Sequence, residues 1–356
     1  MDLSRGCVVL VVFLTGCQGA STAGARSAPG TGQVAAGFDG CQLVNAVAHA
    51  PDGSYLAVAH SDEAGQQGGV TLWSSEGELL RGLQDSAAAA GDELTGCFAL
   101  AFSADGQQVA ADCLRTASWE ASSGRLIWAR DASEVRGSLI NGPSVVLANS
   151  GKTILWHPDA SHQLSSGELW LHPGAASPDG KHALLWTPKG GDSGDYKLWD
   201  LATRKARWSL PVQKVERIRS WWQGEHVVVA HEAKLLWVEL ASGKIGIEHE
   251  LPEQVVPMAP VGETAVVGYD CPRCEGPGCY PEGNCGRQSP VRIGRYDLEG
   301  KSWAWILELP EATRHSLSPS EKALVVSSER GCMHLIDTSS GKKLAQWSTC
   351  ATRECP

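Results

Sequence analysis

Four cysteines within fifteen residues form the densest group of reactive side chains in this 356-residue chain. Cys271, Cys274, Cys279 and Cys285 follow the spacing C-x2-C-x4-C-x5-C. Four thiolates this close can hold zinc tetrahedrally, although the second half lacks the two-residue spacing usual in zinc loops. In an oxidising compartment the same four residues instead close two local disulfides. A second group is scattered: His60 and His231 end apolar runs, and Asp112, Asn149 and Asp270 stand at matching places. A polar rim of that kind can bind a cation or a ligand, and it is equally what strands present where they reach solvent. The chain has no G-x-S-x-G elbow, H-E-x-x-H pair, phosphate-cradling or dinucleotide glycine pattern, or D-x-D-x-D-G calcium loop. No catalytic residue, metal site or cofactor is assigned on these grounds. A formal charge of −10 argues against nucleic acid or anionic lipid as ligand, because phosphate binding needs clustered Lys and Arg.

Whatever these residues do, a repeat positions them. A bulky pair closes a strand at Leu72-Trp73, Ser118-Trp119, Leu155-Trp156, Leu198-Trp199, Leu236-Trp237, Arg295-Tyr296 and Leu335-Ile336, with successive spacings of 46, 37, 43, 38, 59 and 40 residues. A period near 40 to 45 residues is the length of a four-stranded propeller blade. Turn signals follow at Gly77, Gly124, Gly167, Arg204, Gly243, Gly300 and Gly341, and outer strands are predicted around Leu80, Trp128, Trp170, Trp208, Ile247, Trp305 and Trp347. An earlier hairpin in each unit turns near Gly53, Gly106, Gly142, Gly180, Gly224, Gly262 and Ser320. The chain is thus expected to be all-β, a seven-bladed propeller of four-stranded antiparallel blades over residues 39–356. Fourteen Trp among 23 aromatic residues suit this arrangement, since flat rings fill the space between twisted sheets.

Leu198-Trp199-Asp200-Leu201, Ala241-Ser242-Gly243-Lys244, Ser339-Ser340-Gly341-Lys342 and Ser177-Pro178-Asp179-Gly180 resemble the hairpins of WD-repeat propellers and their quinoprotein-like relatives. The resemblance covers about residues 39–350. It departs from the family in having a single Trp-Asp pair and no Gly-His opening each repeat. It implies either a binding scaffold or a propeller enzyme, a quinoprotein-like oxidoreductase or a hydrolase, with residues scattered over the blades.

The first residues supply an address. Arg5 precedes an apolar run over residues 7–14, and Leu14-Thr15-Gly16-Cys17 follows. The run is too short to span a bilayer, so residues 1–16 read as a signal peptide. Its end resembles a bacterial lipobox, which implies lipidation of Cys17. Residues 17–38, rich in Gly, Ala and Ser, are expected to be a flexible tether. The protein is therefore expected outside the cytoplasm, held to a membrane through the lipid alone, at the outer membrane or cell surface.

In that compartment the ten remaining cysteines should pair. Cys97 and Cys113 are equidistant from Asp105, and Cys332 and Cys350 from Gly341, so each pair is expected to face across a hairpin. Cys41 and Cys355 are left to clasp the two ends of the ring, and Cys271, Cys274, Cys279 and Cys285 to form local bridges. Insertions between the second and third strands of a blade occur at residues 61–69, 188–195 and 271–289, all on one face of a propeller. The predicted function is a non-catalytic scaffold for a protein partner, with that face or the channel mouth as its surface.

Overall fold

The structure is a computed structural model. It describes residues 43–356 except 62–67, 84–96, 98, 104, 114, 132–137, 142–143, 150–151, 158–159, 167–176, 178–180, 191–192, 213–218, 232–233, 253–254, 271–289, 311–313, 319, 329–330, 350–354 and 356. The chain divides into Met1–Thr31, wholly outside the described residues, and Gly32–Pro356, which carries every strand. No helix among the described residues is long and apolar enough to cross a membrane. The expected signal peptide and tether, and Cys17 and Cys41, lie outside the described residues.

Strands follow one another as antiparallel meanders. The first sheet holds β1 (Leu43–His49), β2 (Tyr55–Ser61), β3 (Gly68–Ser74) and β4 (Leu79–Leu83), and the second β5 (Ala99–Phe102), β6 (Gln108–Asp112), β7 (Arg115–Glu120) and β8 (Leu126–Asp131). The third holds β9 (Ser138–Asn141), β10 (Ser144–Asn149), β11 (Lys152–His157) and β12 (Ala160–Ser166). A three-stranded sheet follows, β13 (His182–Gly190), β14 (Ser193–Asp200) and β15 (Lys205–Val212). Three four-stranded sheets complete the chain: β16 (Arg219–Gln223), β17 (His226–His231), β18 (Lys234–Glu239) and β19 (Ile245–Glu250); β20 (Val255–Val261), β21 (Ala265–Asp270), β22 (Val291–Asp297) and β23 (Ser302–Leu309); β24 (Arg314–Leu317), β25 (Ala323–Ser327), β26 (Cys332–Asp337) and β27 (Lys343–Ser348).

Among the described residues the expectation of seven four-stranded blades is therefore corrected to six, with β13–β15 forming a three-stranded sheet. The misreading begins one blade earlier. The turn expected at Gly167 comes sooner, because His157 pairs with Ala160 across a two-residue turn and the outer strand is already Ala160–Ser166. Trp170, around which the outer strand of the third blade was expected, and the rest of residues 167–176 lie outside the described residues.

Strand alternation explains the core. In β2, Ala57 and Ala59 face the second sheet, in a cluster with Leu72, Val109 and Trp119, while Leu56 and Val58 face the last sheet, in a cluster with Val325 and Met333. Leu184 and Tyr196 pack on Val227 and Val229. Val228 and Trp237 pack on Val266 and Tyr296, and Val267 and Ile293 on Leu324 and Ile336. The first, fifth, sixth and seventh sheets are apolar on both faces because each packs on a neighbour on either side. The ring closes where β1 meets β24: Ser316 Oγ accepts from His49 N at 3.2 Å and lies 2.9 Å from His49 Nδ1.

Outer-strand tryptophans add a second device. Trp208, Trp305 and Trp347 lie under the third-to-fourth-strand turn of the following sheet, against Gly243, Gly341 and Gly77 respectively. Trp208 Nε1 donates to Leu240 O at 3.0 Å, and Trp305 Nε1 to Thr338 O at 2.8 Å. A Cβ at Gly243 or Gly341 would fall 2.6 Å from the indole, and both glycines have φ of +71°. The repeated Ser-Gly turn and the repeated Trp are thus two halves of one contact between neighbouring sheets.

Candidate interaction surfaces

Antiparallel meanders sort the connections onto two faces. First-to-second and third-to-fourth strand turns emerge on one face, here the turn face. Second-to-third strand connections and the links between sheets emerge on the other, the loop face.

On the loop face, His60 is the last residue but one of β2 and is 4% exposed. Its Nε2 lies 2.6 Å from Thr71 Oγ1, which also accepts from Trp73 Nε1 at 2.8 Å. Burial holds the imidazole neutral, with a pKa lowered to about 4. His60 is therefore a packed side chain in the seam between the first and last sheets, and not part of an open rim. His231 ends β17, where it pairs in register with Lys234. Asp112, Asn149 and Asp270 end β6, β10 and β21, the equivalent places in their sheets.

The insertion at 188–195 proves to be a lengthened hairpin. Strands β13 and β14 remain paired from His182↔Asp200 to Gly190↔Ser193, with an irregularity between Pro188 and Gly190. Near its tip Lys189 Nζ lies 2.7 Å from Asp195 Oδ1, the lysine 57% exposed and the carboxylate 8%. The insertion at 271–289, with Cys271, Cys274, Cys279 and Cys285, lies outside the described residues.

Two disulfides sit on this face. Cys97, just before β5, is joined to Cys113, just after β6. Cys332, the first residue of β26, is joined to Cys355. The second bridge corrects both the expected Cys332–Cys350 pair and the Cys41–Cys355 clasp. The hairpin is centred earlier than Gly341, since Asp337 N donates to Lys342 O, and an irregularity between Leu335 and Ile336 shifts the register. Ser348, not residue 350, thus stands opposite Cys332. The terminal segment then reaches back to it.

The turn face opens into the channel. A cavity of about 400 Å³ lies among the turn-face ends of β16, β20 and β24, lined by Ser220, Trp221, Trp222, Met258, His315 and Glu321, among others. Glu321 occupies the first-to-second strand turn of the last sheet with φ of +58°. Its Oε1 accepts from Gln223 Nε2 at 3.1 Å and its Oε2 from Gly262 N at 2.7 Å. Gln223 Oε1 in turn accepts from Trp237 Nε1 at 2.8 Å. One carboxylate therefore ties the turns of three consecutive sheets. His315 Nε2 lies 3.2 Å from Met258 O, a further link between the last two sheets.

Sequence reasoning missed this cavity because its residues come from three sheets and form no local motif. One signal was available. Ser318-Pro319-Ser320-Glu321 aligns with Ser177-Pro178-Asp179-Gly180 and Ser103-Ala104-Asp105-Gly106, so glutamate stands where the sister turns carry glycine. No group of three or more His, Cys, Asp or Glu side chains that could hold a metal ion occurs among the described residues.

No protein-family model matches the chain, and no curated protein matches it. Solved structures do. The β-propeller domain of Cps50 (Swd1) from Myceliophteria thermophila superposes with a TM-score of 0.57 at 15% identity, covering 86% of this chain and 96% of that one. A chain of a mitotic checkpoint complex matches at 0.53 and 14% identity, covering 81% and 87%. The dihydro-heme d1 dehydrogenase NirN matches at 0.53 and 14%, covering 86% of this chain and 66% of that one. At such identities the likeness establishes the β-propeller fold alone, which a dehydrogenase and a chain of a checkpoint complex share.

Proposed function

We propose that this β-propeller is a non-catalytic scaffold that binds a protein partner through its loop face, outside the cytoplasm and tethered to a membrane by a lipid on Cys17. The observation that carries the reading is the concentration on one face of the lengthened β13–β14 hairpin and both described disulfides. Loops braced on a rigid ring suit recognition, because little ordering entropy remains to be lost on binding. Disulfides suit an oxidising compartment, as does the leader ending in Cys17. Of the neighbours, a checkpoint complex is an assembly by its printed name, which supports a partner-binding role by analogy.

The test is recovery of partners from crosslinked membranes with the intact chain and with a chain whose 188–195 hairpin is cut back to a tight turn. Partners retained by the first and lost by the second are expected. Equal recovery by both, or a bound quinone in the absorbance spectrum of the purified protein, would turn the reading towards the propeller enzyme. Replacing Cys17 by Ser should release the protein from the membrane fraction; retention would remove the lipid anchor from the account.

A further inference from the structure

We propose that the turn-face cavity is a binding site for an alkylammonium or guanidinium group, with Glu321 as its anionic anchor. This goes beyond the loop-face reading and stands separately from it, since the two lie at opposite ends of the ring.

Glu321 is in the wrong place for a residue that serves only the turn. The equivalent turns use Gly53, Gly106, Gly224 and Gly262, all with positive φ, and a side chain there strains the backbone. Strain of this sort persists where the surroundings hold it in place, and here they do. Gln223 Nε2 and Gly262 N each donate one hydrogen bond to the carboxylate, fixing it at the cavity wall. Both donors are neutral. Among the described residues no lysine, arginine or histidine forms an ion pair with Glu321, so its charge is oriented but not neutralised. Each oxygen keeps a second lone pair for another donor.

The rest of the lining suits the same guest. Trp221 brings an indole to the lining, and the faces of indoles attract cations. Met258 and Leu317 give an apolar wall for a methylene stem. A volume of about 400 Å³ admits a single side chain or a small diamine rather than a folded element. The chain's formal charge of −10 raises the local concentration of cations around it.

The group can arrive free, as a diamine, or on the side chain of a partner. Calorimetric titration of the full chain separates these, using agmatine and the blocked peptide acetyl-Gly-Arg-Gly-amide, with the citrulline peptide as a neutral isostere. The expected result is saturable binding of the arginine peptide or agmatine, at least tenfold tighter than the citrulline peptide. Comparable affinity for agmatine and peptide would mark a free-cation site, and a tenfold preference for the peptide a partner's side chain. Glu321→Gln should lower the affinity at least tenfold while keeping the shape. Glu321→Gly, which restores the residue of the sister turns and relieves the positive φ while removing the tie to Gln223 and Gly262, should do the same. Absence of saturation, equal binding of the citrulline peptide, or unchanged affinity in both folded variants would overturn the proposal and leave the loop-face reading intact.

Discussion

The two faces of this ring are held by different chemistry. On the turn face the connections are tight, and neighbouring sheets are fastened by backbone-scale contacts: Trp208 on Gly243, Trp305 on Gly341, Trp347 on Gly77, and the Glu321 carboxylate across three turns. On the loop face the fastening is covalent, through Cys97–Cys113 and Cys332–Cys355, and one hairpin is lengthened beyond what the sheet needs. A contact that uses glycine and an indole leaves no room for variation. A disulfide holds a loop while leaving its sequence free.

Breaking the turn face should therefore do the greatest harm. Gly341→Val places a branched side chain at φ of +71° and against the Trp305 indole, and should lower stability by about 4 kcal/mol in urea unfolding. A loss under ~1 kcal/mol would mean the indole moves aside freely and the staple does not hold the ring.

Acid should act next, at the seam that closes the ring. His60 is neutral when folded, with a pKa lowered by burial from 6.5 to about 4. The unfolded chain takes up its proton below about pH 6.5 and the folded chain only near pH 4, so stability is full above that window and falls as pH drops through it. The loss approaches ~3 kcal/mol from this residue. His49 and His334, each also lowered to about 4 with burial the largest cause, act in the same direction. Unfolding midpoints measured from pH 7.5 to 4 should decline in the parent and decline less in His60→Gln.

Removing Cys97 and Cys113 together should cost about 2 to 3 kcal/mol, as expected for a closed loop of this length. It should raise amide exchange around β5 and β6 without disturbing the Trp staples. Smallest is Trp305→Phe, which keeps an aromatic ring under Gly341 and removes the hydrogen bond to Thr338 O, for about 1 kcal/mol. If this change cost as much as Gly341→Val, the hydrogen bond and not the close packing would be the fastening.

Much of this architecture is written locally, and local signals are the ones that survive in a sequence. Strand-closing pairs such as Leu72-Trp73 and Leu236-Trp237 fall in third strands, as expected, because a period of 40 or so residues is a property of the chain. What depends on register was harder. Turns were centred on glycines, but the hairpin after β26 turns around Asp337 and Lys342, which moved the partner of Cys332 from residue 350 to Cys355. The outer strand of the third sheet begins at Ala160, well before the glycine at 167 on which the turn was centred, so that strand was misplaced. The channel cavity was invisible because Trp222, Met258 and Glu321 meet only when three sheets are set around an axis. His60 read as a polar rim residue since burial by a sheet about 270 residues away leaves no local trace.

Lysines mark both faces, and they allow the division to be tested in one experiment. Lys189 and Lys234 lie beside second-to-third strand connections on the loop face, whereas Lys181, Lys244, Lys301, Lys322 and Lys342 lie in turns on the other. Amine-reactive crosslinking of the protein in intact cells, followed by peptide mapping, reports which set touches a partner. Partner crosslinks concentrated on Lys189 and Lys234 are expected. Crosslinks confined to the turn-face lysines would show the conserved-geometry face to be the recognition surface and contradict the account.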